Sequence, residues 1–504
     1  MSGAPSPLKR LLVQASHYSF ASLLSTLAGL ISFPLLTRIF SVADYGVMNL
    51  ISATLTVALA LGKVGVQHAI IRYRTEAVAG KGKYSAAQLY ATTFLGMCGS
   101  GLLASAVLGF GAQLVPLRWL GDRRLPTLFA IASLVVFIQV AESIIFNFLR
   151  ADQKTAVLMK YQVGKRYFGL ALILFAVFVI SRTLMAFYSA MLVTEAVAVG
   201  ALTVAFFRRE SVPRLVRRDF SLPLYRELLA FGIPMMIGYE MSGIVLGVGD
   251  RYVIHGMLGE QPLGLYAAAY NLCQYVQVVF VASVGQAVTP LYMQMFDQQG
   301  PDETAAFVTR SLRNYVLCGA PVVAGLAAVG PALLPALASE KYASAAIIVP
   351  WVIAGMVVDG SNTMVAAGLF IHRKTKQIMS VVVSAASLNI ALNVVLVPRI
   401  GILGAAIATL VSYALASCAL AVASRRFLPV RLPWATLTRA AVAALGMYLA
   451  VSRLNPGPHL LTVVVRMLVG VPAYGLFISL IDPDARLLAG KAVGRVRRML
   501  GSPS

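Results

Sequence analysis

Runs of about 20 mostly apolar residues recur along the whole chain, and this recurrence constrains the fold more than any single motif. They lie near 17–39, 46–71, 86–111, 127–149, 161–181, 183–207, 226–249, 263–292, 312–338, 345–371, 377–397, 401–424, 435–453 and 460–481. Coiled as a helix, a run of this length matches the hydrocarbon thickness of a bilayer. Within lipid only a helix satisfies the backbone of a single segment internally. Composition agrees: 12% of the residues are charged and 59% hydrophobic, whereas a soluble domain carries about 25% charged residues. The expected class is an all-α integral membrane protein of about 14 transmembrane helices. The gaps between runs are short, so no extramembrane domain is expected. The first run is too long for the core of a cleaved leader and is read as an uncleaved helix.

The formal net charge of +23 would suit nucleic acid if it formed a basic face on a soluble domain. Here the basic residues sit in short clusters between apolar runs, so nucleic acid is excluded. Roughly three-quarters of the 42 Lys and Arg fall at the two termini and in every second loop, the bias of cytoplasmic segments. Both termini are therefore expected in the cytoplasm, with an even number of spans and a basic face that attracts anionic lipid. The four cysteines lie far apart inside apolar runs and read as small hydrophobes.

The loops carry an internal repeat. "LLTRIFSVADYG" (35–46) closes the first span and "GVGDRYVIHG" (247–256) the seventh. "LRADQKT" (149–155) follows the fourth and "FIHRKTK" (370–376) the tenth. "VISRTLMAFYSA" (179–190) and "LVPRIGILGAAI" (396–407) join the fifth to the sixth and the eleventh to the twelfth. One offset of about 215 residues relates all three pairs. This predicts an N-lobe of six spans over 1–210, a C-lobe of six over 211–425, and two further spans with a basic cytoplasmic tail over 426–504. Six is even, so the repeat is parallel, and substrate is expected between the halves.

"LLTRIFSVADYGVMNL" (35–50), "GDRYVIHGMLGEQPLGLYAAAYNL" (249–272) and "LNIALNVVLVPRIGILGAAIATLVSYAL" (388–415) resemble stretches of bacterial polysaccharide-biosynthesis flippases. These are of the O-antigen and exopolysaccharide type, in the multidrug/oligosaccharidyl-lipid/polysaccharide (MOP) exporter superfamily. The resemblance covers essentially the whole chain in order. It implies a two-lobed, 14-helix transporter with a central cavity in the bacterial inner membrane. The implied substrate is an undecaprenyl-diphosphate-linked oligosaccharide, moved from the cytoplasmic to the periplasmic leaflet for O-antigen, exopolysaccharide or capsule synthesis.

A charge at the bilayer centre costs about 2.5–3.5 kcal/mol on insertion scales, so each one requires a partner or a polar cavity. Lys63 reads as lying well inside the second span, either facing a diphosphate or snorkelling to the interface. Glu142, Glu195, Glu240 and Asp359 are candidates for H+ or Na+ coupling, for counter-charge to Lys63, or for neutral hydrogen-bonded acids. Asn389 and Asn393 share a helix face and either meet sugar hydroxyls or bond between helices. With Lys63, Arg38 and Arg251 they make up the expected substrate path. Asp250, Arg251 and Arg399 stand at span ends, as gate residues or as interfacial anchors with the Asp solvated and the Arg reaching headgroups. Arg466 is expected to snorkel outward. His17, His68, His255 and His372 are expected to pack at interfaces.

The leading function is thus a lipid-linked oligosaccharide flippase working by alternating access. A lipid II flippase is a close variant, and an ion-coupled multidrug exporter of the same superfamily is kept open by the four acids. A glycan polymerase or ligase is disfavoured, because such an enzyme needs a sizeable periplasmic loop. No catalytic residue, metal site or resident cofactor is expected. The expected partners are the polyprenyl-diphosphate-linked oligosaccharide, membrane lipids, and a polysaccharide polymerase and glycosyltransferases around a monomer.

Overall fold

The computed structural model describes residues 7–78, 83–116, 121–209, 217–483 and 486. Arg118, the side chains of Lys9, Arg10 and His17, and the expected basic tail after Arg486 lie outside them. No strand occurs among the described residues. Thirteen helices there are long and apolar enough to cross a membrane, and a helix pair bent by 48°, Leu222–Gly238 with Ser242–Leu258, supplies a fourteenth. Each expected window holds one of these spans, in order. Most helices overrun their windows: the eighth, expected over 263–292, is a 40-residue span, Glu260–Gln299, with a π-helical turn at Gln277–Ala282 inside it. Hydropathy marks only the stretch that hydrocarbon can cover, while the backbone ladder continues into polar residues.

The chain forms two compact units, Met1–Gly264 and Leu265–Ser504. The seventh span therefore sits with the first six, although the loop repeat pairs it with the first span.

The first unit contains α1 (Pro7–Ile39), α2 (Val42–Lys63), α3 (Val66–Val78), α4 (Ala86–Leu114), α5 (Leu125–Ala151), α6 (Thr155–Phe175), α7 (Leu184–Arg209), α8 (Leu222–Met235) and α9 (Ser242–Leu258). The helix α5 is its hub, packed against α2, α3, α4, α6 and α7. Leu125, Leu128, Ala132, Val136, Val140 and Ile144 are all at most 1% exposed and recur every three to four residues, as a helix stripe facing neighbours must. Pro234 removes a backbone donor near the end of α8, and the chain passes through a π-helical turn, Met236–Met241, before α9. That is where the seventh span bends.

The second unit contains α10 (Glu260–Val276), of which the first residues belong to the first unit. It continues with α11 (Ser283–Gln299), α12 (Pro301–Leu337), α13 (Val349–Gly360), α14 (Asn362–Val365) and α15 (Ala367–Ile371). It ends with α16 (Thr375–Ile400), α17 (Ile402–Ser424), α18 (Trp434–Ser452) and α19 (His459–Ile481). Here α12 carries the last helix pair, packing against both α18 and α19. Asp482, fully buried, clamps this arrangement through Arg313 on α12 (3.0 Å) and Arg439 on α18 (3.4 Å). Arg466 does not simply reach outward. Its guanidinium donates to the carbonyls of Leu454 (2.8 Å), Ala328 (2.5 Å) and Ser452 (2.9 Å), tying the end of α18 to α12.

Outward faces are apolar. Phe110 and Leu114 are 75% and 83% exposed, as are Leu468 and Val471 at 70% and 76%. Such surfaces are stable only against lipid chains, so the chain is a multi-pass membrane protein.

Candidate functional site

The first unit contains an open cavity of about 710 Å³. Its walls come from α1, α2, α3, α5, α6 and the π-helical turn before α9. From α5 it takes Gln139, Glu142, Ser143, Phe146, Asn147 and Arg150. The spacing is three, four, seven, eight and eleven, so one polar face of an otherwise apolar helix lines the space. Gln162, Lys165 and Arg166 line it from α6 with the same periodicity.

Lys63 lines the same cavity, and its placement follows from the sequence around it. Gly62 leaves room for Val140 of α5, and Ser100 of α4 donates to the Gly62 carbonyl at 2.7 Å. The last turn of α2 is thereby pinned against both helices. The next two residues are left-handed, Val64 at φ 46° and Gly65 at φ 70°, and they end α2. A side chain on Gly65 would strike the Gly232 backbone of α8, so glycine is required on both sides of that crossing. Lys63 is therefore the last residue of α2, not an interior residue of a longer helix as its sequence position suggests. The left-handed break turns the chain before α3 begins.

Lys63 forms no ion pair among the described residues, and Glu240 and Glu142 act on it only through space. The expected counter-charge role of the acids goes to a different lysine. Lys165 holds Glu142 of α5 at 2.8 Å and Glu195 of α7 at 2.6 Å, and Gln139 donates to the other Glu195 oxygen at 3.1 Å. These are charge-assisted contacts between side chains less than one-fifth exposed. Glu240 accepts from Gln67 at 2.6 Å and lies 3.6 Å from His68. His68, expected as an interfacial packing residue, thus lines the cavity beside Glu240.

Four cations line the cavity: Lys63, Arg150, Lys165 and Arg166. Three carboxylates bear on it: Glu142 and Glu240 in the wall, and Glu195 behind Lys165. Two of the three are bound to Lys165. Lys63, Arg150 and Arg166 are left without an ion pair among the described residues. The cavity therefore presents unneutralised positive charge among the described residues, with Ser22, Ser25, Gln139, Gln162 and Asn147 as neutral hydrogen-bonding groups.

Other expected site residues are placed elsewhere. Asp250 and Arg251 are 2% and 6% exposed, so the Asp is not solvated and the Arg does not reach headgroups. They lie within α9, which continues to Leu258. Arg251 donates to the Gly247 carbonyl at 2.9 Å and stands 3.7 Å from Asp250. Arg38 is exposed in the last turn of α1, also in the first unit. Arg399 is exposed in the last turn of α16, where a cation complements the helix dipole. Asn389 and Asn393 are fully buried. Asn389 donates to Thr409 of α17 at 3.4 Å, and Asn393 donates to Asn389 at 3.1 Å, which is the interhelical arrangement. In the second unit Asp359 lies in the last turn of α13, accepts from Asn362 at 3.0 Å, and is linked through Asn362 to Ser417 at 2.7 Å.

Lys165, Arg150 and Arg166 have no site role in the sequence reading, where they count as loop cations. The helix α6 begins at Thr155, which puts Lys165 roughly 15 Å along it. The polar periodicity of 139–150 and 162–166 is the signal that finds them.

Fold and cavity together define a class: a multi-pass helical membrane protein with a charged chamber among its first seven spans. A family model described as polysaccharide biosynthesis protein matches residues 35–347, and the chain belongs to that family. An uncharacterized membrane protein of Methanocaldococcus jannaschii is 26% identical over 198 residues, and the match spans 38% of this chain and 38% of that relative's length. Among solved structures the chain is similar to the lipid II flippase MurJ in an inward closed conformation. The TM-score is 0.74 with 13% identity, covering 94% of this chain and 99% of that one. It is also similar to an inward-facing multidrug resistance MATE family transporter of the MOP superfamily, with TM-score 0.63 and 15% identity over 80% of this chain and 94% of that one. At such identities the likeness shows the fold alone.

Proposed function

We propose that the protein is a non-catalytic, alternating-access transporter that moves a polyprenyl-diphosphate-linked saccharide across the cytoplasmic membrane for surface polysaccharide synthesis. The observation that carries this reading is the set of three cations, Lys63, Arg150 and Arg166, that line one polar cavity without an ion pair among the described residues. An anionic diphosphate is the headgroup such a set stabilises, and the amides and hydroxyls around it suit sugar hydroxyls. The polyprenyl tail stays in lipid. Family membership supports a role in polysaccharide assembly. Around this core, Asp250, Arg251 and Arg38 serve as gate elements, and Asp359 and Glu240 as sites of H+ or Na+ coupling. A polymerase and glycosyltransferases act before and after the transport step.

A second reading has its own support. The likeness to a lipid II flippase extends over nearly the whole of both chains, and lipid II also presents a diphosphate. Export of cationic drugs has less support, because Glu142 and Glu195 are bound to Lys165 and Glu240 is engaged by Gln67. Complementation separates these readings. The gene is placed in one strain lacking an O-antigen-type flippase and in another depleted of its lipid II flippase. Restored surface polysaccharide in the first strain alone supports the main reading. Restored growth in the second supports the lipid II reading. Rescue of neither, with the protein present in the membrane, overturns both.

A further inference from the structure

The second unit holds a crevice of about 610 Å³ between α12, α13, α17 and α18. Its wall is aliphatic and built from small residues such as Gly319, Ala324, Ala354 and Ala414. Three of its polar side chains are already engaged. Tyr315 donates to the Val357 carbonyl at 2.7 Å, Ser361 to the Val358 carbonyl at 2.7 Å, and Ser417 to Asn362 at 2.7 Å. Water has too few partners in such a space. The helices around it are membrane spans, so the surrounding medium is hydrocarbon.

One end of the crevice differs in chemistry. Its last lining residue on α17 is Ala421, and its first before and on α18 are Leu432, Pro433 and Trp434. One turn beyond Ala421 stand Arg425 and Arg426, and Arg431 immediately precedes Leu432, its backbone N–H bonded to Thr309 of α12 at 3.2 Å. All three arginines are exposed and form no ion pair among the described residues. Trp434, 60% exposed, stands where an indole marks the level of the headgroups. The loop-charge bias assigns this end to the cytoplasmic leaflet.

We infer that this crevice is a binding site for an anionic phospholipid, with one acyl chain between α12, α13, α17 and α18 and its phosphate at Arg425, Arg426 and Arg431. Charge complementarity selects the headgroup, since a cytoplasmic leaflet rich in anionic phospholipid supplies it continuously. The apolar wall selects the chain. The site stands independently of what the cavity of the first unit carries.

Trp434 is its own reporter. In the full chain with Trp119→Phe and Trp351→Phe it is the remaining indole of the three. The protein is placed in nanodiscs containing phosphatidylglycerol or phosphatidylcholine with brominated chains. Half-quenching of Trp434 is expected at about a threefold lower mole fraction of the phosphatidylglycerol. Arg425→Ala, Arg426→Ala and Arg431→Ala together should abolish that preference, and lysine at the same three positions should keep it. Ala441→Phe, which fills the crevice from α18, should weaken quenching by both lipids. Equal quenching by the two lipids overturns the proposal, as does quenching unaffected by Ala441→Phe. Displacement of the brominated phosphatidylglycerol by substoichiometric polyprenyl phosphate also overturns it, because the site then belongs to the carrier lipid.

Discussion

Lys63 and Lys165 line one cavity, yet removing each should have opposite consequences. Among the described residues Lys63 neutralises no carboxylate by direct contact, so Lys63→Ala strands no buried charge there. The expected result is a folded, normally inserted protein whose glycan export falls at least about tenfold, the loss of one charge-assisted contact. Lys63→Arg should retain partial export, since charge persists while geometry changes. An export complementation assay with membrane protein levels measured alongside checks both; wild-type export from well-expressed Lys63→Ala would remove Lys63 from the path. Lys165 is bound by two carboxylates. Lys165→Ala leaves both without their cation and should lower stability by about 3–5 kcal/mol. Thermal unfolding in detergent measures this, and adding Glu195→Gln should restore part of the loss. An unchanged melting temperature would mean the triad contributes nothing to the fold.

At the scale of elements, the crossing of the α2–α3 break with α8 depends on two glycines. Gly65 has a left-handed backbone and its Cβ position is filled by the Gly232 backbone. Gly65→Ala should therefore destabilise the protein by more than about 1 kcal/mol. It should also disturb export, because the same break places Lys63. Gly111 is the matched control. It is helical, has φ in the ordinary region and nothing within 4 Å of its Cβ position, so Gly111→Ala should be neutral or slightly stabilising. Comparing melting temperatures of the two variants separates backbone strain from a general intolerance of substitution.

At the scale of the whole molecule, the bias of basic loops predicts that both termini lie in the cytoplasm. A reporter at the C-terminus should then read cytoplasmic. One inserted near Glu340, in the short connection after α12, should read periplasmic. The same result from both positions would sink the 14-span arrangement. The predicted topology would also set the direction of the cavity. With both reporters as expected, Lys63 at the end of α2 and Arg150 in the last turn of α5 would lie toward the cytoplasm, the side from which the proposed substrate would arrive.

The membrane class and the order of the spans follow from the amino-acid sequence by itself. These are local properties: a run of apolar residues must be covered by lipid or protein whatever its neighbours, and loop charge acts on each segment as it inserts. The charge partners were not legible in the same way. Glu142, Glu195 and Glu240 announce themselves as acids within apolar runs, but nothing in the linear order says that Lys165 holds the first two. That pairing requires α5, α6 and α7 to pack side by side. Asp250 and Arg251 look like boundary residues because the apolar run stops before them, yet α9 continues and buries both. Packing energy between helices, which no single segment contains, decided which polar faces meet. It thereby decided which cations are left free to receive an anion.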